Sequence, residues 1–290
     1  MATLTRREAI ELLGTATVGT GIVAGSAQNA LAAVRPNTNT KMRQSVCRWC
    51  FRSIPLETFF QDISDVGLSA VDLLEEDEWR LASRHGLTCS TGYGGGGTIT
   101  DGLNDPSNHA AIVSNLEQSL PKAARAAIPN VIAFFGNRRD LSDEQGIDNC
   151  VAVLERIAPV AESEDVTVVV ELLNSKVDHP DYRGDRTPFG IEVVTRVDSP
   201  RVKLLYDIYH MQVMEGDVIR TIRDNHKHIA HYHTAGVPGR HEIADDQELN
   251  YPAICRAIRD TGYTGYLAHE FIPTGDPMVS LGNAVELCDV

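Results

Sequence analysis

From residue 41 onward, short runs of β-branched and aromatic residues alternate with longer stretches patterned like helices. The runs are "QSVCRWCF" (44–51), "LSAVDLL" (68–74), "LTCSTGY" (87–93), "NVIAFFG" (130–136), "VTVVVELLN" (166–174), "VKLLYDIYH" (202–210), "IAHYHTAG" (229–236) and "GYLAHEFIP" (265–273). Between them, "PLETFFQDISDVG" has Pro near its start and Gly at its end, as helices prefer. "NHAAIVSNLEQSLPKAARAAI" reads as a helix that Pro121 should end or kink. "SDEQGIDNCVAVLERIAPVAES" opens at Ser142 with acids in its first turn, and "YPAICRAIRDTGY" closes at Gly262. "PMVSLGNAVELC" supplies the last helix.

Eight strand candidates alternating with helices over residues 41–290 predict a (β/α)8 TIM barrel. An open doubly wound sheet would place a Gly-rich phosphate loop after its first strand, whereas "RSIPLE" follows here. "GYGGGG" (92–97) lacks the Lys-Ser or Lys-Thr of a P-loop and is read as a mobile loop after the third strand. No internal repeat and no linker marks a second domain.

Residues 1–32 have a different character. Arg6 and Arg7 precede a weakly apolar, Gly- and Ala-rich stretch that ends in the small-x-small pattern "ALA". That order describes an export signal, and the Arg pair points to the twin-arginine route and a periplasmic location. The segment holds too many Gly, Thr and Ser residues for a transmembrane helix, so no stable membrane span is expected once it is removed. Residues 33–40 form a short linker.

The formal net charge of -14, with no basic run, argues against a nucleic-acid partner. The six cysteines are scattered and give no disulfide framework. "CRWC" has no second C-x-x-C partner and lies in an apparent strand, so its thiols are read as buried or pocket-lining. A homo-oligomer is compatible with the sequence, but no residue pattern requires one.

A barrel of this kind builds its active site at the C-terminal ends of its strands. Four successive strand candidates place an ionisable residue there: Glu171, Asp207, His233 (with His231 two residues earlier) and Glu270. Side-chain alternation puts Glu171 on the face of Val169, Asp207 on that of Leu205 and Glu270 on that of Ala268. With those faces inward, all four converge on one mouth. Three carboxylates in one cleft repel each other, and a cation relieves the repulsion. Three carboxylates with one imidazole suit one hard or borderline divalent ion, Mn²⁺, Mg²⁺ or Co²⁺.

The stretches "VVVELLNSKVDHPDY", "LLYDIYHMQVMEGD", "HYHTAGVPGRHE" and "ELNYPAICRAIRDTGYTGYLAHEF" resemble the hydroxypyruvate isomerase family, within the xylose isomerase-like barrels that include ketose 3-epimerases. The resemblance implies metal ligands Glu171, Asp207, His233 and Glu270, with Glu171 and Glu270 also transferring protons through an enediolate. It implies that His210 hydrogen-bonds a substrate oxygen and that Arg240 binds the substrate, with His179 and Glu242 lining the same mouth. The expected activity is conversion of hydroxypyruvate to 2-hydroxy-3-oxopropanoate, the substrate being a small hydroxy-carbonyl compound. The alternative is an epimerase or isomerase of a larger sugar, and a non-catalytic periplasmic sugar-binding protein ranks below both. A DNA-cleaving enzyme on the same barrel would gather several metals and present a basic face, and the net charge and the export signal argue against it.

Overall fold

The computed structural model describes residues 42–290, so the expected export signal and linker lie outside the described residues. The strands are β1 (Arg43–Val46), β2 (Ala70–Val71), β3 (Thr88–Cys89), β4 (Gly92–Gly96), β5 (Asn130–Phe134), β6 (Thr167–Leu172), β7 (Val202–Asp207), β8 (Ile229–Thr234) and β9 (Tyr266–His269). The helices are α1 (Leu56–Asp65), α2 (Glu76–Arg84), α3 (His109–Arg125), α4 (Asp143–Glu164), α5 (Thr187–Val197), α6 (Ile208–Met214), α7 (Val218–Asn225), α8 (Tyr251–Asp260) and α9 (Pro277–Cys288).

Seven strands pair in parallel in the order β1-β9-β8-β7-β6-β5-β4, and β2 pairs with β3. Single bridges from Cys47 to Asp72 and from Leu74 to Gly92 join the two groups and close the ring. The third barrel position is thus shared by β3 and β4, and the architecture is the (β/α)8 barrel expected from the alternation. Strands β5 and β6 are buried along their whole length, because the barrel lumen covers one face and the helices the other. Among the described residues, no helix is long and apolar enough to cross a membrane.

Local chemistry sets the boundaries. Ser142 and Gln145 form a reciprocal cap on α4, and Asp165 ends that helix in the left-handed conformation. Asn250 caps α8 and Asp276 caps α9 through their side chains.

Two expectations are corrected and a third is narrowed. Helix α3 runs through Pro121 without ending. The carbonyl deprived of its donor belongs to Glu117, an exposed position where water can replace the lost bond. The first strand stops at Val46, and Arg48–Phe51 winds into a 3-10 turn, held by the Arg48 guanidinium on the carbonyls of Phe51 and Ile54. "GYGGGG" is strand β4 rather than a mobile loop. A side chain at Gly96 would lie 2.5 Å from the Ile132 carbonyl oxygen, so glycine there permits β5 to approach. All six cysteines are free thiols, five of them buried, in keeping with their scatter along the chain.

Tyr182 ties the fold to the mouth of the barrel. Its fully buried hydroxyl donates to the Glu171 carbonyl at 2.9 Å and accepts the Phe135 amide at 2.9 Å. Tyr182→Phe leaves that donor and that acceptor unmatched, so urea unfolding should show a loss of about 1–3 kcal/mol.

Candidate functional site

Four side chains meet at the C-terminal mouth. Glu171 comes from β6, Asp207 ends β7, His233 lies on β8, and Glu270 follows β9. Asp207 and His233 are register partners, and the Glu270 amide extends the ladder by donating to the Thr234 carbonyl at 2.9 Å. One ligating atom from each of the four lies within 4.8 Å of the other three, and all four residues are buried.

Asp207 also caps α6. Its Oδ1 accepts the His210 amide at 3.0 Å, which fixes the carboxylate and leaves Oδ2 toward the mouth. The expected strand 202–210 therefore ends at Asp207, because the capped helix begins at the next residue. His233 Nδ1 stands 3.0 Å from Glu270 Oε2 and 3.2 Å from Glu171 Oε1. A single N–H cannot serve both. Glu171 Oε1 is left buried without a hydrogen-bond partner, and Asp207 Oδ2 is another such atom.

The charges respond to this crowding. Burial pushes the Asp207 carboxyl well above the usual carboxylate range, even beside Arg240, and it also raises Glu171. Burial acts in the same direction on Glu270. There Arg240, His233 and the Trp49 indole outweigh it and hold the carboxyl well below its ordinary value. The Trp49 N–H reaches Glu270 Oε1 at 2.7 Å. Arg240 Nη2 lies 2.5 Å from Glu270 Oε2 and 3.6 Å from Asp207 Oδ2, with its guanidinium over the rings of Trp49 and Tyr209.

This donor set fits a divalent cation. Two orphaned, buried carboxylate oxygens, a third carboxylate and an imidazole nitrogen lie close enough together to share one ion. A hard or borderline cation suits the oxygen-rich set, and it would match the orphaned oxygens better than any donor present.

The structure also places the residues expected at the substrate. His210 Nδ1 accepts the Asn174 amide at 3.2 Å, which puts the ring proton on Nε2. Nε2 is buried without a hydrogen-bond partner, and burial holds the ring's pKa well below the ordinary histidine value. His210 therefore keeps one unused N–H donor beside the Asp207 carboxylate, 3.6 Å from its Oδ2. His179 and Arg240 line a cavity of about 350 Å³ together with Trp49, Tyr93, Glu171 and Glu270. Glu242 stands apart from that lining. Its carboxylate accepts the amides of Thr274 and Gly275 and orders the loop after β9.

Several residues at the mouth were not read from the sequence. Trp49, Tyr93 and the exposed Arg52 line the cavity, and of these Tyr93 does stand at a strand end, closing the run "LTCSTGY". Asp72 sits beneath His233, fully buried, with its Oδ2 2.9 Å from His233 Nε2. It did carry a signal, a single carboxylate in the apolar run "SAVDLL", the same kind of signal that marks Glu171 and Asp207.

Residues 56–284 match the xylose isomerase-like TIM barrel family. A putative hydroxypyruvate isomerase from Homo sapiens is 29% identical over 181 residues, covering 61% of this chain and 65% of that protein. A 2-oxo-tetronate isomerase from Pectobacterium atrosepticum is 25% identical over 253 residues, covering 80% of this chain and 92% of its own length. The crystal structure of an AP endonuclease, family 2, from Brucella melitensis superposes with a TM-score of 0.75 at 24% identity, over 83% of this chain and 97% of that one. That last likeness concerns the fold alone.

The raised carboxyls give the site a pH signature. Burial raises the Glu171 and Asp207 carboxyls above their ordinary values, so the metal-free fold loses stability as pH rises through their folded values. A cation needs both ionised and gains affinity over the same interval. The rise in Tm produced by Mn²⁺ should be larger at about pH 8 than at about pH 5.5, as thermal melts with and without the ion will show.

Proposed function

We propose that this chain, which belongs to the xylose isomerase-like TIM barrel family, is an isomerase that moves a proton between adjacent carbons of a short 2-oxo acid bearing a neighbouring hydroxyl, with hydroxypyruvate as its substrate. The observation that carries this reading is the pair of buried glutamates, Glu171 and Glu270, facing one centre from β6 and from the end of β9. The names of the human and Pectobacterium relatives support a 2-oxo acid.

Isomerisation of hydroxypyruvate removes a proton from C3 and returns one to C2, and the hydroxyl proton passes from the C3 oxygen to the C2 oxygen. Two carboxyl groups on one centre supply the taker and the giver. Proton removal leaves an enediolate, whose oxygens carry the new negative charge. A divalent cation held by Glu171, Asp207, His233 and Glu270 would polarise the carbonyl and stabilise that charge. The His210 Nε2–H, on a ring that burial keeps neutral, would donate to one substrate oxygen. Arg240 pairs with Glu270 and keeps it ionised. Arg240 and Arg52 are the cations in the cavity that can meet the substrate carboxylate. Trp49 and Leu173 give the same cavity apolar walls that limit water at the reacting carbons.

A second reading, a sugar epimerase or isomerase, draws on the size of the cavity. About 350 Å³ is more room than a three-carbon acid fills, so a longer hydroxy-carbonyl chain also fits.

The test is the purified chain, stripped with chelator and resupplied with Mn²⁺ or Mg²⁺, followed by NMR in D₂O. Hydroxypyruvate, 2-oxo-tetronate and a panel of ketoses are the substrates. Cation-dependent conversion of hydroxypyruvate is the expected result. Deuterium entering only ketoses would move the protein to the sugar reading, and no exchange anywhere would overturn both. Glu171→Gln and Glu270→Gln should each lower turnover by about 10²–10⁴ with the cation still bound. Near-normal turnover in both would remove the glutamates from the proton path.

A further inference from the structure

We propose that Asp72 is a positioning residue. It fixes His233 with the Nε2 proton turned into the barrel, so that Nδ1 is the nitrogen presented to a divalent cation. The inference rests on the reading that Glu171, Asp207, His233 and Glu270 take such an ion.

Asp72 lies just past β2, where its bridge to Cys47 helps to close the barrel. The residue is fully buried, as are His231 and His233. Its Oδ2 is 2.9 Å from His233 Nε2 and 3.2 Å from His231 Nε2, with the Cys47 thiol at 3.6 Å. Its Oδ1 accepts the hydroxyl of Ser90, which lies 2.9 Å from the hydroxyl of Ser45. Both carboxylate oxygens are therefore engaged, and the group cannot turn without losing a buried bond.

An ionised carboxylate only accepts hydrogen bonds. His233 must meet it with a protonated Nε2. A cation binds only a neutral imidazole, which carries one N–H; committing that proton to Asp72 leaves the Nδ1 lone pair for the ion once it displaces the Nδ1 proton. That nitrogen is the one facing Glu171 and Glu270. Burying a carboxylate this deeply is costly unless it is matched by donors. The match here falls on a proposed ligand, where a carboxylate partner fixes both ring orientation and tautomer. Of the two histidines that Asp72 holds, His231 belongs to the layer below and is not among the four grouped residues. The site therefore has two tiers: ligands at the mouth and an anchoring carboxylate beneath one of them.

The experiment compares Mn²⁺ affinity in the unmodified chain and in Asp72→Asn, by competition with a chromophoric chelator. Circular dichroism and metal-free melting run in parallel. The expected result is a loss of about 10–100-fold in Mn²⁺ affinity by folded Asp72→Asn. A purely structural role would lower the melting temperature and leave the affinity unchanged, and that outcome overturns the proposal. A second measurement needs no variant. ¹⁵N NMR of the imidazoles, with Zn²⁺ bound to the unmodified chain, should find the His233 proton on Nε2. A proton on Nδ1 overturns the assignment even where Asp72→Asn fails to fold. If the unmodified chain binds no Mn²⁺, the cation reading and this inference fall together. Binding by the unmodified chain with equal binding by Asp72→Asn overturns the inference alone.

Discussion

Three carboxylates buried around one imidazole form the constraint on which the rest of this structure depends. Glu171, Asp207 and Glu270 have no bulk water to spread their charge, and they stand within 4.8 Å of each other through one ligating oxygen apiece. Neighbouring features respond to that density. Arg240 is drawn across the mouth onto Glu270, with its guanidinium over the rings of Trp49 and Tyr209. The turn after β1 brings the Trp49 indole N–H to the far oxygen of Glu270. Even with these partners, two carboxylate oxygens remain unmatched. A centre that still lacks donors after recruiting an arginine, an indole and an imidazole has the character of a cation site rather than of a structural salt-bridge network.

The barrel was legible because its strands carry an interior signature that helices cannot imitate. Runs such as "VTVVVELL" are too short for a helix and too apolar for a half-exposed strand, and each of the eight proposed runs contains strand in the structure. Glu171, Asp207 and His233 were legible for the same reason. A charged residue closing an apolar strand has few structural uses, and alternation decides which way it points. The errors fall where local pattern competes with tertiary contact. "QSVCRWCF" looks like an unbroken strand, yet the Arg48 guanidinium captures two carbonyls and winds its second half into a turn. "GYGGGG" looks like a flexible loop, yet its missing side chains are what let it pack against β5.

The residues that escaped the sequence share a different property: their roles are set by partners far away in the chain. Trp49 meets Glu270 across 221 positions, and Asp72 meets His233 across 161. No window of local sequence contains such a pair. Glu242 shows the converse. It sits beside Arg240 in a stretch that resembles a family motif, yet in three dimensions it orders the loop at Thr274 instead of the cavity. Proximity to a ligand in sequence is a weak guide once the chain has left the strand, because loop side chains do not alternate.

A division of labour follows from where each group is mounted. The proposed cation ligands project from strands or from the residue directly after one, and Asp207 is further pinned by capping a helix. The groups that would meet the substrate come from elsewhere. Trp49 is on a turn, His179 and Arg240 are on loops, and His210 is in the first turn of a helix. Strand positions are held by ladder bonds on both sides and tolerate little movement, whereas loop positions can change without disturbing the ring. The chemistry proposed for this barrel therefore rests on its most constrained residues and the proposed choice of substrate on its least constrained ones. On that reading the sequence bears directly on proton transfer at a cation and only indirectly on the length of the molecule that would undergo it.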